Sequence, residues 1–130
     1  MELILPCLYS ELEGSALPNI VEEISKTKYL DHIIVGLDRA NENQAKKAWK
    51  FFKKLKTPFS VLWNDGPGLK KLDKELKKND LSPNELGKGR NVWYCIGMSI
   101  ARDTARSVAL HDCDIKTYDR RMLAKLFYPV

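Results

Sequence analysis

A chain of 130 residues with 44% apolar content is long enough for one ordinary domain around a single core and short for two. Its 22 lysines and arginines against 17 acidic residues, a net charge of +5, favour anionic ligands such as nucleotides, phosphorylated sugars or nucleic acid without choosing among them. Cys7, Cys95 and Cys113 lie far apart, with no CxxC pair and no histidine at zinc spacing, which excludes a disulfide framework or structural zinc as an expectation and suits a reducing cytoplasm. No run has the length of a signal-peptide core or a bilayer span, so the expectation is a soluble, cytoplasmic protein with no membrane partner.

Leu3 to Leu5 make a short apolar strand ended by Pro6, and Ile20-Val21-Glu22-Glu23-Ile24 has the apolar spacing of a helix face. His32 to Leu37 is a β-branched block between Asp31 and Asp38, the pattern of a buried parallel strand with a polar exit. From Asn43 to Leu55, Ala45, Ala48, Trp49, Phe52 and Leu55 recur at helical spacing among lysines. Phe59 to Trp63 reads as a third strand closed by the turn Asn64-Asp65-Gly66-Pro67-Gly68, and Leu69, Leu72 and Leu76 mark one face of the next helix. After a polar loop and Gly87-Lys88-Gly89, Val92, Trp93, Ile96, Ile100 and Ala101 carry a fourth helical pattern. Ser107 to Leu110 forms the fourth strand, and Arg120 to Phe127 a last short helical segment. This alternation predicts an α/β fold, a mostly parallel doubly wound, Rossmann-like sheet with ligands at the carboxyl ends of its strands.

The polar motifs fall at those ends. Asp112 and Asp114, spaced i, i+2 where the fourth strand stops, can both approach a hard divalent cation, Mg²⁺ or Mn²⁺; the alternative is a helix N-cap or a solvated turn. Gly87-Lys88-Gly89-Arg90-Asn91 offers flexible backbone and two cations just before a helix N-terminus, where a phosphate is favoured, with Lys88 its main contact. The segment from Pro6 and Leu8 to Glu11 and Glu13, beside Asp38 and Arg39, can cradle a base or ribose or serve as polar loops. His111 reads as a hydrogen-bonded structural residue, and Cys113 as a side chain turned into the core, without the paired base a thiol nucleophile needs. The lysine-rich helices read as solvated faces whose apolar stripes serve the sheet; no aromatic platform accompanies the lysines, so nucleic acid is not the expected partner.

Taken in order, Pro6-x-Leu8 with its acidic residues, Asp38, Gly87-Lys88-Gly89-x-x-x-Trp93 and Ala109-Leu110-His111-Asp112-Cys113-Asp114-Ile115 resemble the GT-A glycosyltransferases, in particular the glucosyl-3-phosphoglycerate synthases and their relatives. The resemblance implies a nucleotide-sugar donor, UDP-glucose, and retaining transfer to a small phosphorylated or hydroxy-acid acceptor such as 3-phosphoglycerate. It implies that Pro6, Leu8 and Glu11 or Glu13 contact the uridine, that Asp38 completes the base and ribose pocket, and that Lys88 reaches the nucleotide. Asp114 is then the direct ligand of the Mg²⁺ or Mn²⁺ that bridges the phosphates, and Asp112 orients the ribose or a metal-bound water. Relatives begin with Pro-x-Leu-Asn-Glu-Glu where Tyr9-Ser10 stands here, and they draw a histidine metal ligand and the acceptor pocket from sequence after the DxD strand. Residues 1–130 are accordingly expected to be one donor-binding, N-terminal GT-A half, with a missing C-terminal half or a homo-oligomer completing it. The alternatives are a non-catalytic nucleotide-binding or regulatory half-domain and a nucleotidyltransferase-like enzyme. The latter would want a glycine-rich loop after the first strand, where Cys7-Leu8-Tyr9-Ser10 stands.

Overall fold

The computed structural model describes residues 1–129. Four strands, β1 (Glu2–Leu8), β2 (His32–Asp38), β3 (Phe59–Trp63) and β4 (Val108–Leu110), form one sheet in the order β3-β2-β1-β4 with every pairing parallel. Five α-helices surround it: α1 (Ala16–Ser25), α2 (Glu42–Phe52), α3 (Pro67–Lys78), α4 (Lys88–Arg102) and α5 (Arg120–Phe127), with a 3₁₀ turn at Tyr9–Glu13. The α/β, mostly parallel, Rossmann-like expectation is met, and the sheet is parallel throughout. No helix among the described residues is long and apolar enough to cross a membrane.

Alternation of side chains across the sheet assigns the two faces. Leu3, Leu5, Cys7, Ile33, Val35 and Leu37 join Leu17, Ile20, Val21 and Ile24 of α1, Ala48 and Phe52 of α2, and Leu123 and Phe127 of α5 in the main core. Ile4 and Ile34, on the other face, meet Cys95 and Met98 of α4 in a much smaller cluster. All seven residues of β2 are buried, as its continuous apolar run requires between two neighbours and two layers.

β1 does not end at Pro6. It continues to Leu8 because β4 pairs only with Glu2 to Ile4, while β2 accompanies β1 all the way to Leu8. Glu2 N–H donates to Ser107 O and His111 N–H to Ile4 O, so the even-numbered residues of β1 turn their backbone groups toward β4. Pro6, which has no N–H, therefore faces the side from which β4 has already departed, and its missing donor costs no ladder bond.

Two helices depart from expectation. α4 begins at Lys88, so Lys88 and Gly89 lie within its first turn rather than ahead of it. Its apolar stripe also faces away from the sheet: Trp93, Ile96 and Ile100 are exposed, whereas Asn91, Tyr94, Cys95 and Ser99 are buried. The inward polar side chains are accommodated because each finds a partner there, Asn91 Nδ2 donating to Gly36 O at 2.9 Å and Ser99 Oγ to Glu2 Oε2 at 2.5 Å. α3 has no buried residue, and Leu72 is exposed, so its leucine stripe does not serve the sheet as expected.

Candidate functional site

The chain leaves β1 toward β2 on one side, and β4 returns on the other, so β1 stands at the point where strand order reverses. In open parallel sheets the crevice for ligands opens there, beyond the carboxyl ends. A cleft of about 250 Å³ occupies this position, lined by Pro6, Cys7, Leu8, Glu11, Asp38, Arg39, Gly87, Lys88, Asn91, Asp112, Cys113 and Asp114.

Each wall has a local cause. The 3₁₀ turn after β1 folds Glu11 back so that Leu8 N–H donates to Glu11 Oε2 at 2.8 Å, which fixes the carboxylate at the strand end. Glu13 lies exposed and outside the cleft, so of the two acidic alternatives only Glu11 lines it. Asp38 ends β2, is buried, and has the Arg90 guanidinium at 3.9 Å. Gly87, with φ at 134°, turns the backbone into α4; no side chain caps that helix, so its first amides are open to an anionic acceptor. Lys88, in the first turn, forms an ion pair with Asp112 across the cleft mouth.

Asp112 and Asp114 sit in a turn, and the helix that follows starts only at Arg120. Asp119 is its N-cap, accepting from Arg121 N–H at 2.8 Å, so capping does not account for the DxD pair. Among the described residues no hydrogen bond or ion pair engages the Asp114 carboxylate. His111 is buried and its Nδ1 lies 2.8 Å from Tyr118 Oη; burial, against the pull of Asp112, lowers its pKa and favours the neutral ring. Tyr118 O in turn accepts from Asn19 Nδ2 at 3.0 Å, anchoring the loop that carries both aspartates to α1. Replacing Tyr118 with Phe leaves a buried imidazole nitrogen without its partner, and about 1–2 kcal/mol of stability should be lost; an unchanged urea midpoint would contradict this.

Beside the cleft, Lys70, Asp73 and Tyr94 carried no sequence signal. A second hollow of about 220 Å³ shares Asp38, Arg39 and Gly87 with the cleft and is bounded by Asn64, Asp65, Lys70, Asp73, Arg90 and Tyr94 among others. There Lys77 first, then Ser82 and Tyr94, pull the Asp73 carboxyl down to about 2. The buried Asn64 carboxamide and Arg90 Nε have no hydrogen-bond partner among the described residues. Cys7 and Cys113 are both buried, and Cys113 indeed belongs to the core. The Cys113 thiol and then burial raise the pKa of Cys7, which keeps it a neutral thiol rather than a nucleophile.

Comparison with known proteins places this arrangement beside two named relatives. The chain is 43% identical over its full 130 residues to a glucosyl-3-phosphoglycerate synthase of Persephonella marina and 35% identical over 129 residues to one of Methanococcoides burtonii. The chain resembles the glucosyl-3-phosphoglycerate synthases along its whole length. It spans about a third of each of these relatives, 32% and 31% of their lengths. No protein-family model matches the chain, and no solved structure does.

Proposed function

We propose that the cleft binds the nucleotide diphosphate of a sugar donor, UDP-glucose, and that the chain is the donor-binding part of a retaining glycosyltransferase whose acceptor is 3-phosphoglycerate. The observation that carries this reading is the convergence at one switch-point crevice of the Pro6 to Leu8 strand end, Glu11, Asp38, Lys88 and the Asp112–Asp114 pair. The names of the two relatives support the sugar and acceptor.

The donor set fits Mg²⁺ or Mn²⁺. These hard cations bind through one or two carboxylates and complete their shells with phosphate and water oxygens, which suits an unengaged Asp114 beside Asp112. Asp114 would hold the ion directly, while Asp112, released from Lys88, would orient the ribose or a metal-bound water. When bound, the ion supplies Lewis-acid neutralisation of the departing diphosphate. The remaining work belongs to the chain. Pro6, Leu8 and Glu11 line the place for the uridine, Asp38 that for base and ribose, and Lys88 with the uncapped amides of α4 the negative charge of the phosphates.

Calorimetric titration with UDP and with GDP, each with and without Mn²⁺, tests this. UDP should bind more tightly than GDP, and Mn²⁺ should strengthen binding at least tenfold. Asp114→Ala should remove that enhancement while leaving the metal-free affinity in place. Binding that ignores Mn²⁺, or no binding of either nucleotide, would overturn the reading.

A further inference from the structure

We propose that Cys7, Cys113 and Glu11 form a second cation site, for a thiophilic divalent ion of the Zn²⁺ class, beside the Asp112–Asp114 pair and chemically distinct from it. The three residues come from β1, the loop after β4 and the 3₁₀ turn, more than a hundred positions apart at the extremes, so no spacing in the chain announces them. Their ligand atoms nevertheless all lie within 4.8 Å of one another. Tetrahedral zinc, with bonds of about 2.0–2.3 Å, holds its ligand atoms about 3.3–3.8 Å apart. Small rotamer changes would close the remaining distance.

The register of the sheet produces the convergence. β4 stops opposite Ile4, and after His111 N–H donates to Ile4 O the chain leaves the ladder and brings Cys113 to Cys7. Two buried thiols alone would be ordinary core filling. The carboxylate adds a third, oxygen ligand: Glu11 Oε2 accepts from Leu8 N–H as the capping bond of the 3₁₀ turn, which holds the same carboxylate beside both thiols. Both cysteines and Glu11 also line the cleft, which provides an open fourth position for water.

Ligand softness separates the two sites. Thiolates select Zn²⁺ and similar ions over Mg²⁺, whereas paired aspartates favour Mg²⁺ or Mn²⁺. Coordination releases both thiol protons to solvent and leaves a Cys₂Glu set, three protein ligands with one position exchangeable.

The intact chain, kept reduced with a phosphine and free of nucleotide, is titrated with Cd²⁺ and followed by sulfur-to-metal charge-transfer absorption. One equivalent should generate the band in the presence of a large excess of Mg²⁺. Asp114→Ala and Cys95→Ser should retain it, Cys7→Ser and Cys113→Ser should lose it, and Glu11→Gln should weaken Cd²⁺ affinity at least tenfold. Because the serine variants can fail to fold, ¹¹³Cd NMR of the wild-type chain decides independently, with a single resonance in the range of two-sulfur coordination expected. Absence of the band, its persistence in folded Cys7→Ser, or a ¹¹³Cd shift typical of oxygen ligands alone would overturn the proposal. Since no nucleotide is present, these results stand apart from the success or failure of the donor-binding reading.

Discussion

Glu2→Gln should destabilise the chain by about 3 kcal/mol, the size expected when one partner of a buried ion pair is removed. Glu2 is only 1% exposed, yet its carboxylate accepts from Ser99 Oγ at 2.5 Å, Arg102 Nε at 3.1 Å and Thr104 Oγ1 at 3.2 Å. Burial raises its pKa, but the three hydrogen bonds and the charge of Arg102 together outweigh burial and leave it below the ordinary glutamate value of 4.5. A carboxyl depressed on folding contributes stability that is fully present above its unfolded pKa and is lost as pH falls through the folded one. The difference between wild type and Glu2→Gln should therefore hold steady at neutral pH and shrink below about 4.5. His32, nearby, is also lowered, by burial first and then by Arg102, so its contribution falls away on acidification from a higher pH, below about 6.5. Urea melts at a series of pH values separate the two windows. A stability difference that grows on acidification would contradict the assignment.

Gly36→Ala should cost a similar amount, about 3 kcal/mol, combining overpacking with loss of a buried hydrogen bond. A Cβ at position 36 would overlap the Asn91 carboxamide and lie 2.6 Å from Cys95 Sγ. Asn91 cannot withdraw freely, because its Nδ2 is bonded to the carbonyl of the same glycine. The N-terminal part of α4 must then move away from β2, carrying Lys88 and Gly87 with it, so nucleotide affinity should fall together with the urea midpoint. The smaller change Asn91→Ala should lose the hydrogen bond without the clash and cost less. Equal midpoints for wild type and Gly36→Ala would refute the close packing.

What could be read from the chain depended on whether a residue's partner was near it in sequence or implied by periodicity. β2 was legible because burial on every side demands a continuous apolar run, and Asp112-Cys113-Asp114 because a polar motif directly after an apolar strand lies at the sheet's carboxyl edge, although β4 itself is a short edge strand with Val108 and Leu110 exposed. The extension of β1 through Pro6 was not, since it depends on how soon β4 ends. The inversion of α4 was hidden for a related reason. Its stripe of Trp93, Ile96 and Ile100 has the spacing of a core face, while the face that packs carries Asn91 and Ser99, whose partners Gly36 and Glu2 lie 55 and 97 positions away. Only the sheet's topology supplies them. The same holds for Cys7 and Cys113, which spacing separates and register joins.

The two polar attachments of α4 also govern how the cleft can move. Asn91 ties the helix to β2 near the carboxyl end of the sheet, and Ser99 and Arg102 tie it to β1 at the amino end. A helix fastened at two points along its length can neither roll nor pivot without breaking a buried bond. Its amides from Cys95 to Ser99 should then exchange hydrogen only through global unfolding. Any widening of the cleft would have to come from the opposite wall, the loop from His111 to Asp119, which is itself tied by His111 N–H to Ile4 O, by Tyr118 to His111 and Asn19, and by Asp112 to Lys88. Asp112 and Asp114 therefore stand on the wall that loop contacts hold, and Lys88 on the wall fastened to the sheet at both ends.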